Sequence, residues 1–81
     1  MKTDIIFQIF KYVNEDGTVN VKEMLQWLED NKFTKKEDRE FRFDDGDVSR
    51  VMVYEGDGWK VSIHLLVGKD GTLKLGTLDI S

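Results

Sequence analysis

The sequence contains no cysteine and no proline, and a single histidine, His64. Without cysteine there are no disulfides, no thiolate metal clusters and no cysteine nucleophile. No apolar run approaches the roughly 18 residues that a membrane helix needs. The first residues carry no basic segment, no long apolar stretch and no small-residue cleavage site, so a secretory signal is not expected. A cytoplasmic location is the expectation that follows. What is present suits a small folded domain. Of 81 residues, 40% are hydrophobic and 35% charged, and 16 acids against 12 bases leave a formal charge of −4. A chain of this length makes one domain, residues 1–81, with a core that hides only about 60% of the unfolded surface.

The chain divides into a helical half, residues 1–43, and a strand half, residues 44–81. Thr3 is placed to cap a first helix, in which Ile6, Ile9, Phe10 and Val13 follow the i, i+3, i+4 pattern. Ile5, Phe7 and Tyr12 widen its apolar surface well beyond one stripe, so it needs cover from its own domain or from a partner. Asn14-Glu15-Asp16-Gly17 is turn chemistry and ends it. A second helix begins after Asn20, with Glu23 at capping-box spacing, and carries the stripe Val21, Met24, Leu25 and Leu28 with Trp27 at its flank. Thr34 and Glu37 repeat that spacing, which suggests a third, highly charged helix from Thr34 to about Phe43.

From Val48 the apolar period changes to two. Val51 and Val53 alternate with Met52 and Tyr54; Trp59, Val61, Ile63, Leu65 and Val67 alternate with Lys60, Ser62, His64 and Leu66. Gly56-Asp57-Gly58 and Gly68-Lys69-Asp70-Gly71 separate three strands, the last carrying Leu73 and Leu75. Beyond Gly76 the phase slips, and a bulge there would return Leu78 and Ile80 to the core face. The expected fold is α+β: two or three N-terminal helices packed on one face of a three-stranded antiparallel meander. That face would carry Val51, Val53, Trp59, Val61, Ile63, Leu65, Leu73 and Leu75.

Two local resemblances follow from these residues. Asp16, Gly17, Thr18, Val19 and Glu23 resemble the second half of an EF-hand calcium loop, but Tyr12 stands where the leading carboxylate belongs, and calcium needs six to eight oxygens. The order Ile9 to Val13, then Gly17-Thr18-Val19, then the helix Val21 to Leu28 resembles the opening of a winged-helix domain. That resemblance implies a recognition helix over Thr34 to Phe43, with Lys35, Lys36, Arg39 and Arg42 as its nucleic-acid contacts. Glu37, Asp38 and Glu40 are interspersed among them and oppose a phosphate backbone.

Other constellations are weaker. Asp44, Asp45 and Asp47, with Glu55 and Asp57, match no metal-loop spacing and read as a solvated turn. No metal or cofactor is expected. Neither Ser49 nor Ser62 is marked as an activated nucleophile, and His64 is isolated, so an enzyme is not expected. Met52, Tyr54, His64 and Leu66 share the outward parity of adjacent strands and form the candidate partner-binding patch. The function expected is therefore a non-enzymatic protein-binding module, such as a small acidic inhibitor or adaptor, its partner another protein or a second copy in a homodimer. The alternative is a winged-helix-type nucleic-acid-binding regulator.

Overall fold

The computed structural model describes residues 2–81. Met1, where the helical half was expected to begin, lies outside them. The order is α1 (Lys2–Phe10), α2 (Val21–Asp30), β1 (Thr34–Arg42), β2 (Val48–Gly56), β3 (Trp59–Val67) and β4 (Leu73–Ile80). The four strands form one antiparallel sheet in the order β1-β2-β3-β4. The α+β class and the meander stand as expected. The meander has four strands instead of three, because the expected third helix is β1.

Both helices follow the apolar pattern with shifted ends. α1 begins before Thr3, which therefore is not its cap, and it ends at Phe10. Ile5 and Ile9, one turn apart, are its buried residues, while Phe7 and Phe10 face outward. α2 buries Met24 and Leu28 as the stripe requires. Its capping box does not form. Asn20 makes no side-chain cap, and its N–H is donated to the Tyr12 carbonyl at 2.8 Å, which removes the donor Glu23 would have used. Lys32 ends the helix in the left-handed region, φ 69°, and turns the chain so that Phe33 enters the core and stacks on Trp27 at 6.3 Å.

The β2–β3 turn decides which residues become core. Asp57 and Gly58 both take positive φ, 51° and 78°, so the hairpin closes over two residues and Gly56 pairs with Trp59. Even-numbered residues of β2 then stand opposite odd-numbered residues of β3: Met52 opposite Ile63 and Tyr54 opposite Val61. Opposed residues share a face. The helix-covered face of β2 is therefore Met52 and Tyr54, not the expected Val51 and Val53. At Gly76 the ladder skips one residue, with His64 opposite Thr77 and Leu65 opposite Leu75. This is the bulge that returns Leu78 and Ile80 to the side of Val61 and Ile63. A side chain at Gly76 would begin 3.3 Å from the His64 carbonyl oxygen.

The core is one cluster: Ile5, Ile9, Met24, Leu28 and Phe33 from the helical side, packed on Met52, Tyr54, Val61, Ile63, Leu65 and Ile80 of the sheet. Burial pushes the Tyr54 hydroxyl above its ordinary pKa, and the negative charges of Glu29 and Asp38 add to that. The loop after α1 closes the outer edge of β4. Val19 N–H donates to the Leu73 carbonyl, and Leu75 N–H donates to the Gly17 carbonyl. Among the described residues no such cover reaches β1, all nine residues of which are exposed. No helix among the described residues is long and apolar enough to cross a membrane.

Candidate interaction surface

The four residues expected to form one outward patch lie on opposite faces of the sheet. Met52 and Tyr54 are 0% and 1% exposed beneath the helices. His64 and Leu66 stand on the uncovered face, where Leu66 is 54% exposed. The correction follows from the odd offset that the two-residue β2–β3 hairpin imposes.

The uncovered face can be read row by row from the pairing. Phe41, Ser49, Leu66 and Lys74 form one row; Arg39, Val51, His64 and Thr77 the next; Glu37, Val53, Ser62 and Asp79 the third. Its first row is the apolar end. Phe41 is 39% exposed, and Phe43, just past β1, is 56% exposed. A cleft of about 250 Å³ at this end is lined by Phe43, Asp47, Val48, Ser49, Leu66 and Val67. The Arg39 guanidinium lies over the Phe41 ring, 5.2 Å from its centroid. Val53 is buried on this face between its cross-strand neighbours, outside the core cluster. Sequence periodicity missed Phe41 and Phe43 because the segment was read as a helix.

The basic residues of the expected recognition helix are strand residues. Pairing with β2 sets Lys35 and Arg42 on the helix side of β1, Arg39 on the uncovered side, and Lys36 in a bulge between Lys35 and Glu37. Three of the four already face carboxylates: Lys35 to Asp38 at 3.4 Å, Arg39 to Glu37 at 3.7 Å and Arg42 to Glu40 at 3.6 Å. They form no continuous basic stripe. The recognition helix of the winged-helix resemblance is absent, although its extended segment is present as Thr18 and Val19, bridged to Lys74 and to Val13.

Beside β1, Arg50 donates to both carboxylate oxygens of Asp38, from Nε at 2.9 Å and Nη2 at 2.7 Å. Hydrogen bonding from Arg50 holds the Asp38 carboxyl below the usual range against its partial burial, and it raises Arg50 in turn. The loop that resembles part of an EF-hand is closed from within. Asp16 Oδ1 accepts from Thr18 N at 3.0 Å and from Thr18 Oγ1 at 2.6 Å, which lowers its pKa. Asp70 and Thr72 repeat the same turn before β4. The acidic run becomes the β1–β2 loop: Asp45 Oδ1 accepts from Asp47 N–H, and Phe43 N–H donates to the Asp47 carbonyl. No group of three or more His, Asp or Glu among the described residues is arranged to hold a metal ion. No family model matches the chain, and no curated protein and no solved structure matches it.

Proposed function

We propose that this domain is a non-enzymatic protein-binding module, a small acidic inhibitor or adaptor, and that it engages its partner through the Phe41–Leu66 end of the uncovered sheet face. The observation that carries this reading is the single helix layer: no described residue covers the second face of the sheet, and Phe41, Phe43 and Leu66 are gathered at one end of it. Aromatic and aliphatic side chains beside a shallow cleft, rimmed by Arg39, Lys74 and Asp47, have the composition of an interface centre with a polar rim. Each of the three is exposed, so replacing it by Asp leaves the core untouched. The test compares capture from lysate of the native host by the wild type, Phe43→Asp, Leu66→Asp and Phe7→Asp, each verified as folded by circular dichroism. The expected result is a protein lost with the first two variants and retained with Phe7→Asp, which changes the outer face of α1. A partner lost with Phe7→Asp and kept by the others would move the site to the helical side.

A further inference from the structure

We propose that β1 is the pairing edge of a weak homodimer, joined antiparallel to β1 of a second copy about a two-fold axis at Asp38. β1 contributes no residue to the core cluster and is exposed on both faces. Outside its ladder with β2, its backbone makes no hydrogen bond to another element among the described residues. It thus carries a row of free backbone donors and acceptors on a nine-residue strand. Its charges exclude indiscriminate pairing but do not exclude a partner of matching pattern.

The second copy supplies that pattern. In an antiparallel pair related by a two-fold axis normal to the sheet, opposed residues must come from the same face. Glu37, Arg39 and Phe41 share the uncovered face; Asp38, Glu40 and Arg42 share the other. With the axis at Asp38, Glu37 of each copy meets Arg39 of the other, in exchange for the long, exposed 3.7 Å contact between the two within one strand, and Lys36 in the bulge approaches Glu40 of the other. Asp38 meets its own copy, but each of these carboxylates is already held by Arg50 through two hydrogen bonds. An axis at Arg39 sets Arg39 against itself, Asp38 against Glu40 and Lys36 against Arg42, and brings no unlike charges together. An axis at Glu40 sets Glu40 against itself and relies on Asp38, which Arg50 occupies. Only about five residues of each copy pair, well short of the roughly 1,200 Å² of a standard interface, so the dimer is weak and sensitive to salt.

The charge pattern provides its own test. Glu37→Arg leaves Arg at both positions of the paired row, and Arg39→Glu leaves Glu at both. Each variant alone opposes like charges twice, while a mixed pair of the two opposes unlike charges twice. Sedimentation equilibrium up to about 1 mM protein should show a monomer–dimer equilibrium for the wild type that weakens between about 0.05 and 0.5 M salt. Each single variant, verified as folded by circular dichroism, should dimerise at least about tenfold more weakly. Their equimolar mixture should recover wild-type affinity or better. A mixture of Glu15→Arg with Lys69→Glu, in the α1–α2 and β3–β4 loops, carries the same net charges away from this edge and should show no gain. The proposal is overturned by a wild type that stays monomeric throughout, by a dimer that both single variants leave unchanged, by a mixture that fails to recover, or by a control mixture that gains as much. These readouts are independent of partner capture, so either proposal stands or falls without the other.

Discussion

β1 and β4 are the two edges of one sheet, and they are held in place by different forces. β4 sends Leu75, Leu78 and Ile80 toward the helices, and its outer backbone is bonded to Gly17 and Val19. β1 sends nothing into the core. Its residues are mostly Lys, Arg, Asp and Glu, which are poor strand formers, and it is extended because the edge of β2 beside Met52 and Tyr54 would otherwise be left unpaired. A strand can therefore be specified by the needs of its neighbour, with almost nothing in its own side chains to announce it.

The largest expected effect separates the core from the uncovered face at residues that parity alone had grouped. Tyr54→Ala removes a large, fully covered side chain from the face of β2 beneath the helices, and the expected cost is about 3–5 kcal/mol, a large share of the stability of so small a domain. Leu66→Asp changes an exposed residue and should cost less than about 1 kcal/mol. Urea denaturation of the two variants measures both. Similar costs for the two would erase the distinction between the faces.

The same contrast explains what was legible in the sequence. α2, the strands from Val48 onward and the Gly76 bulge could be read because apolar spacing there reflects burial. The interior face of β2 could also have been found: Asp57-Gly58 is the sequence of a two-residue hairpin, and its loop length fixes which residues of β2 oppose Val61 and Ile63. β1 had no periodic signal. Its Thr34 and Glu37 satisfied a helix-start pattern, and the local hint against it was the Asp44-Asp45-Gly46-Asp47 turn immediately before a strand, which is how a hairpin announces the strand on its other side. The candidate surface was half legible. His64 and Leu66 were placed on the outward face, but Phe41 belongs to the strand that composition concealed and Phe43 follows it directly.

A smaller effect is expected where β1 is tied to the rest of the sheet. Asp38 is held ionised by Arg50, and its folded pKa lies below the value of about 3.9 for an unfolded Asp. A lowered acid pKa contributes stability above the unfolded value and loses it as pH falls through the folded one. Asp38→Asn should therefore cost roughly 1 kcal/mol at neutral pH, a modest figure because both side chains are partly exposed. The difference from wild type should shrink steadily below about pH 4. Unfolding free energies measured between about pH 2 and 7 test this, and a difference independent of pH would mean that the pair does not hold the strand.

The smallest effect is expected at Arg42, in a row that sets the two edges against each other. Arg42, Val48, Val67 and Leu73 lie side by side across the sheet, with Arg42 on one edge and Leu73 on the other. Arg42 is largely exposed, and its contact with Glu40, at 3.6 Å, is a surface ion pair of little energetic consequence. Arg42→Thr replaces a residue of modest strand preference with a β-branched one beside Val48, and it should stabilise the fold by a few tenths of a kcal/mol. Leu73→Thr makes the same kind of gain in preference, but Leu73 packs against the core, and burying a hydroxyl in place of a branched aliphatic side chain should outweigh that gain by about 1–2 kcal/mol. Opposite signs from the two substitutions, read as shifts in denaturation midpoint, would confirm that β1 is governed by backbone preference and β4 by packing. A loss at Arg42 as large as the loss at Leu73 would mean that the β1 edge is buried in solution, and the homodimer would then be the first place to look for what covers it.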